Sequence, residues 1–145
     1  VTSDGKPSPK NFPYWRSTVS MLMKDGYKVA QISMHGEPDI GASARFDGLR
    51  LREIEKMISK CSAWASVDNF FQHLAWSIGR PGVVIFGQSD PRIFGHPENF
   101  NLLKDRRYLR PQQWWLWSQT SYRDDVFVQP EKVVAAIKSL IVEIK

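Results

Sequence analysis

The sequence predicts an α/β domain of three layers, with a mostly parallel sheet covered by helices on both faces. Three observations carry this reading. Helical and strand-like segments alternate along the chain, and the connections between most of them are short. The run Val83-Val84-Ile85-Phe86 is apolar at every position, as a central parallel strand buried on both faces must be.

Each element has its own local reason. Residues Val1 to Asn11 are rich in Pro, Gly, Ser and Lys and read as loop. Pro13 suits the first position of a helix, where a missing N–H costs nothing. Trp15, Val19, Leu22 and Met23 recur at helical spacing, so a helix is predicted from Pro13 to about Asp25, stopped by Gly26. Lys28 to Ser33 reads as a short strand, and His35 to Gly48 as loop. Leu51, Ile54, Met57 and Ile58 define a second amphipathic helix ending near Lys60. Ala63 to Val67 is a second strand. Asn69 then caps a helix from Phe70 to Ile78, with Phe71, Leu74, Ala75 and Ile78 facing inward and Gly79 as its stop. Gly82 to Phe86 is the third strand. From Gly87 to Phe127 the periodicity fails; residues 88–127 are predicted to be an irregular excursion holding Trp114, Trp115 and Trp117, packed between the last helix and the sheet. Pro130 opens that helix, with Val133, Val134, Ile137, Leu140 and Ile141 on its apolar face.

A chain of 145 residues fits one domain, assigned to 1–145, and its apolar share of 42% is ordinary for a globular protein. No apolar run is long enough to span a bilayer, and no signal peptide pattern is present. A lone Cys61 cannot form an internal disulfide, so a cytoplasmic setting is expected. With three histidines (His35, His73, His96) and no CxxC, no metal site is expected. The net charge of +5 suits an anionic partner or, more simply, a solvated basic surface. The chain begins at Val1 and reads as a fragment or a processed product.

Ligands of open α/β sheets settle at the carboxyl ends of the strands, beside helix N-termini. Three segments fall there. Asp68 ends a strand, Asn69 caps the next helix, and the amides of Phe70, Phe71 and Gln72 open it with a partial positive charge suited to phosphate. His73 lies about one turn further in. The residues alone leave open that Asp68 and Asn69 merely cap the helix and that His73 is a partly buried polar group. Gly87, with Ser89 after it, ends the apolar strand where a backbone can approach a ligand or simply turn. Lys10 stands just ahead of a helix N-terminus, where a cation can meet a diphosphate. No GxGxxG, GxxxxGK[ST] or GxSxG occurs, which disfavours dinucleotide oxidoreductases, P-loop enzymes and serine hydrolases.

Together these segments resemble the C-terminal domain of glycosyltransferase family nine, the heptosyltransferases. The resemblance lies in Lys10-Asn11-Phe12-Pro13, in Gly36-Glu37, in Asp68-Asn69-Phe70-Phe71-Gln72-His73-Leu74-Ala75, and in Ile78 to Pro91 with its Val83-Val84-Ile85-Phe86-Gly87-Gln88-Ser89-Asp90-Pro91; it is strongest over residues 50–97. It implies a Rossmann-like domain that is one half of a GT-B enzyme. It further implies a nucleotide-diphosphate-sugar donor, with ADP-heptose a candidate, transferred with inversion and without metal or cofactor. Lys10, the amides after Asp68 and His73 would steady the diphosphate, while Asp68 and Glu37 would bind hydroxyls of sugar or ribose. Asn69-Phe70 replaces the family's Ser/Thr-Gly pair, and the tryptophan-rich stretch is unlike the better-known heptosyltransferases. The general base, and the glycan or lipopolysaccharide-type acceptor, would belong to an N-terminal domain not contained in these residues; contact with a membrane would be peripheral. By itself the chain is expected to bind donor and transfer nothing. The alternative expectation is a catalytically inactive domain of this fold kept for protein interaction or assembly. Nucleic-acid binding, suggested only by charge and aromatics, ranks last because no module for it is present.

Overall fold

The computed structural model describes residues 8–144. The loop expected over Val1–Asn11 therefore lies partly outside the described residues, which begin at Ser8. Helix α1 runs Trp15–Lys24 and buries Thr18, Val19 and Leu22; Pro13 and Tyr14 form a turn ahead of it, so the helix begins two residues later than Pro13 suggests. Met23, expected on the inner face, is 40% exposed. Gly26 follows the end of α1 at φ +88°, a left-handed position that a side chain would strain.

Strand β1 (Ala30–Ser33) pairs in parallel with β2 (Ala44–Asp47), Ala30 opposite Ala44 and Ser33 opposite Asp47. The Ser33 hydroxyl donates to the Asp47 carboxylate and ties the two strand ends. β2 lies in the stretch His35 to Gly48 that the sequence predicts to be loop. Its residues are exposed or half-buried, so the strand carries no apolar signal. Helix α2 (Leu51–Lys60) is held at its start by the Glu53 carboxylate, which accepts from the Arg50 amide at 2.7 Å.

Strands β3 (Ala65–Val67), β4 (Val83–Phe86) and β5 (Phe100–Leu103) form a parallel sheet with β4 in the centre. Helix α3 (Phe70–Ser77) connects β3 to β4, and the short helix α4 (Pro91–Phe94) lies between β4 and β5. β5 corrects the expected irregular stretch over 88–127: its four residues are all half-buried and show neither alternation nor a continuous buried run. Two 3-10 turns, Arg106–Tyr108 and Trp117–Gln119, follow before helix α5 (Pro130–Ile144).

Every residue of β4 is buried. Val83 and Ile85 face one cluster with Phe12, Leu22, Val126, Phe127, Val128, Val133, Val134 and Ile137, drawn from α1, α5 and the segments leading into them. Val84 and Phe86 face the other with Ile54, Ile58, Trp64 and Ala75, from α2, the approach to β3, and α3. The period-two alternation of a strand thus builds both cores from one four-residue segment. The three-layer α/β architecture expected from the sequence is present, and every strand pairing described is parallel.

On α3 the expected inner face packs against the core, with Gln72 added to it. Gln72 and Ala75 are fully buried, whereas Phe71, Leu74 and Ile78 are half-buried. A second correction concerns the tryptophans. Trp114 and Trp115 are 65% and 66% exposed and do not pack α5 against the sheet; buried Val126, Phe127 and Val128 occupy that place.

Gly82 enters β4 under the indole of Trp64, whose Nε1 donates to the Arg80 carbonyl at 3.0 Å. A β-carbon at Gly82 would sit 2.1 Å from that ring. Gly82→Ala is therefore expected to cost about 1–3 kcal/mol by overpacking, read as a lower urea midpoint at unchanged slope.

Candidate functional site

The parallel strands β3, β4 and β5 end at one edge, and the segments that leave them carry the polar residues of interest. Val67 ends β3 and Asp68 follows at once; Phe86 ends β4 and is followed by Gly87, Gln88, Ser89 and Asp90. Lys10 comes to this edge from ahead of α1. Its ammonium lies 2.8 Å from Asp68 Oδ2, joining residues 58 positions apart. The Asp68 side chain is 5% exposed and that of Lys10 27%. Asp68 Oδ1 accepts from Gln72 Nε2 at 2.8 Å, so both carboxylate oxygens are engaged within the chain. Gln72 itself is fully buried, and its Oε1 has no partner.

Asn69 behaves as the sequence indicated: its side chain accepts from the Phe71 amide at 3.0 Å and caps α3. Phe70 is 46% exposed, so its ring does not plug the interior at this junction. His73 is exposed, and its Nδ1 lies 2.8 Å from His96 Nε2. His96 in turn stacks on Trp76, with centroids 4.6 Å apart and an interplanar angle of 9°. Burial, then the nearby His73 ring, holds the His96 pKa below its ordinary value. Glu37 is exposed and belongs to the turn after β1, where its carboxylate accepts from the Met34 amide at 2.9 Å. Lys10, Asp68 and Gln72 are thus brought into one contact network. The Glu37 carboxylate makes its described contact within its own loop, its carbonyl accepts from Arg45 of β2 at 2.7 Å, and His73 makes its own contact with His96.

Gly87 is required by packing. A β-carbon there would fall 2.7 Å from the Phe127 ring and 2.8 Å from Val126. Ser89 is buried at 2% exposure. The loop holding these residues is stitched to the chain beyond β5 by Gln113, a residue the sequence did not single out. Gln113 Oε1 accepts from the Asp90 amide at 2.9 Å, and its Nε2 donates to the carbonyls of Gln88 at 3.0 Å and Arg110 at 2.6 Å. One buried amide side chain thereby satisfies three backbone groups of two loops. The Gln113 carbonyl accepts from Trp117 Nε1 at 3.0 Å, which places that indole against the same edge. Lys10 Nζ is 4.7 Å from the Trp117 centroid and 5.4 Å from that of Phe94. Trp117 and Phe94 therefore lie against the Lys10 ammonium, a packing that residue spacing could not reveal.

Asp90 was legible only in part. An Asp before Pro is a helix-start signature, and Asp90 does cap α4 by accepting from the Arg92 amide at 2.9 Å. It also takes both arms of Arg106, at 3.0 and 2.7 Å, across a gap of sixteen residues. That guanidinium, more than the Arg92 amide, holds the Asp90 carboxyl below the usual carboxylate range. A depressed carboxylate pKa adds stability above the unfolded value, and that stability is lost as pH falls through the folded value. The gap in melting temperature between the protein and Asp90→Asn is expected to be full at neutral pH and to close as pH drops below about 4. A gap independent of pH would show that the ionised pair contributes nothing.

Among the described residues, no group of three or more His, Cys, Asp or Glu side chains could hold a metal ion. Among them also, no helix is long and apolar enough to cross a membrane. Residues 47–108 match the sequence model of glycosyltransferase family 9 (heptosyltransferase). This stretch contains Asp68, Asn69, Phe70, Gln72, His73, Gly87 and Ser89, while Lys10 and Glu37 lie outside it. No curated protein matches the chain. Among solved structures, a glycosyl transferase family 9 protein from Veillonella parvula DSM 2008 is similar, with a TM-score of 0.67 at 17% identity; the similarity covers 99% of this chain and 45% of that one. The chain therefore spans less than half the length of this solved relative. Residues 47–108 thus resemble glycosyltransferase family 9, and the chain as a whole has the fold of a solved protein of that family.

Proposed function

We propose that this chain is the donor-binding half of a heptosyltransferase-like glycosyltransferase, taking a nucleotide-diphosphate sugar at the edge where Lys10 meets Asp68. One observation carries the reading: a lysine ahead of α1 is drawn to the start of α3 by a nearly buried aspartate. A cation and a helix N-terminus at the carboxyl ends of parallel strands are what a diphosphate needs. As the donor binds, its anionic oxygens compete with Asp68 for the Lys10 ammonium. Asp68, held by Gln72, is left to accept from a hydroxyl of sugar or ribose. The open side of α3 presents His73, whose ring N–H can reach a phosphate oxygen once it parts from His96. In the transfer itself, fixed donors of this kind act on the charge that builds on the leaving diphosphate. The reaction is direct displacement with inversion at the anomeric carbon, without metal. A base and a glycan or lipopolysaccharide-type acceptor come from another domain, and ADP-heptose is a fitting donor. The protein works in the cytoplasm, at most in peripheral contact with a membrane.

A second reading has its own support. Both oxygens of Asp68 and the charge of Lys10 are already satisfied within the chain, while Trp114, Trp115 and Leu116 stand 65%, 66% and 51% exposed. An inactive domain that presents these residues to a protein partner would show the same pattern.

Thermal melting separates the two. With nucleoside diphosphate at a hundred times its dissociation constant, the donor reading expects about 2.7 kcal/mol of added stability. Lys10→Ala and His73→Ala are each expected to reduce that gain without unfolding the domain. Equal affinity in both variants and the parent would remove the site, and no gain with any nucleoside diphosphate would leave the second reading standing.

A further inference from the structure

The stretch after β5 is strongly basic, and its cations are almost all matched. Arg106 takes Asp90, at 2.7 Å for the shorter arm. Arg107 lies 3.4 Å from Asp105, and Arg123 lies 2.7 Å from Asp125. Lys104 donates to the Asp125 carbonyl at 2.6 Å. Arg110 differs: among the described residues none of its guanidinium nitrogens has an acceptor, and its Nη1 is shielded from solvent without any hydrogen-bond partner. Its position is nonetheless well held. The Arg110 amide donates to the Gln88 carbonyl at 2.9 Å, its carbonyl accepts from Gln113, and its guanidinium carbon lies 4.8 Å from the Trp117 centroid.

Trp117 therefore has two cations against it, Lys10 and Arg110. Lys10 is balanced by Asp68, whereas Arg110 has no carboxylate within ion-pair distance among the described residues. A shielded guanidinium nitrogen without an acceptor is costly to maintain and is relieved when an acceptor arrives. A planar fork of N–H donors is suited to phosphoryl oxygens, which it can take two at a time. Leu116, just before Trp117, sits at φ +65°, a left-handed conformation uncommon for a branched side chain. This conformation immediately precedes the indole that both cations approach.

We propose that Arg110, positioned by Trp117 and Gln113, is an anion-binding residue that takes a phosphoryl oxygen of a diphosphate-bearing ligand at the Lys10 edge. The inference rests on the donor reading for the ligand's nature. The unmatched guanidinium is an observation independent of Asp68 and His73. Lys10 and Arg110, which both approach the Trp117 ring, would then hold the diphosphate from two separate segments of the chain.

Titration calorimetry of the intact chain with inorganic pyrophosphate and with ADP tests this. Arg110→Gln is expected to weaken pyrophosphate binding about tenfold or more, as loss of a charge-assisted bidentate contact should. Arg110→Lys, which keeps the charge and loses the fork, should fall between Arg110→Gln and the parent. Lys132→Gln, a one-charge control on the exposed side of α5, should bind as the parent does. Circular dichroism confirms that each variant is folded, and Arg110→Lys alone decides the matter if Arg110→Gln is not. Binding by the folded Arg110 variants as tight as the parent's overturns the assignment, as does equal weakening in Lys132→Gln. ADP bound equally by parent and Arg110→Gln overturns the role of Arg110 and leaves the donor reading intact. Pyrophosphate bound through Arg110, with no gain from the nucleoside, upholds the anion site and overturns the donor reading. No binding of either ligand overturns both.

Discussion

Burial of β4 on both faces is the constraint from which the rest of the molecule follows. A strand of four apolar residues can be stable only if two separate layers cover it. Val83 and Ile85 recruit α1 and α5, while Val84 and Phe86 recruit α2 and α3. Gly82 lets the Trp64 ring close over the start of the strand, and Gly87 lets Phe127 and Val126 close over its end. Because the strands beside β4 run parallel to it, their carboxyl ends are gathered at one edge. Packing of this single segment thus places the loops that carry the polar chemistry.

At that edge the molecule solves a problem of unpaired backbone. Loops leaving parallel strands cannot use the sheet ladder, and buried amides and carbonyls need other partners. Gln113 supplies them for the Gln88, Asp90 and Arg110 positions with one side chain. Two aspartates do the same for charge: Asp68 draws Lys10 from the beginning of the chain, and Asp90 draws Arg106 from beyond β5. Each carboxylate also serves its own neighbourhood, Asp68 through Gln72 and Asp90 as the cap of α4. The price of this arrangement is visible in the groups left over, Gln72 Oε1 and Arg110 Nη1. Buried polar networks that are not fully matched within the chain are where an external ligand has most to add.

The family match and the approach to the site rest on different parts of the chain. The family match covers 47–108, which includes the Asp68 junction and the β4 loop. Lys10, Gln113 and Trp117, which shape the approach to that junction, lie outside it. A shared fold does not carry a shared job, so the donor reading depends on the contacts made by these residues. Trp117 meets the Lys10 ammonium from outside the matched stretch.

The amino-acid order alone determined the three-layer class, α2, α3, α5, the Asn69 cap and β4, because each depends on periodicity or on a capping residue within one turn. The Asp68 block was legible for the same local reason. β2 and β5 were not, since an exposed strand and an evenly half-buried one carry no period-two signal. The contacts of Lys10 with Asp68, Arg106 with Asp90, and Gln113 with two loops were decided only by tertiary structure. These pairs lie far apart in the chain and follow no repeat; only the packing of helices on both faces of β4 brings them within hydrogen-bond reach.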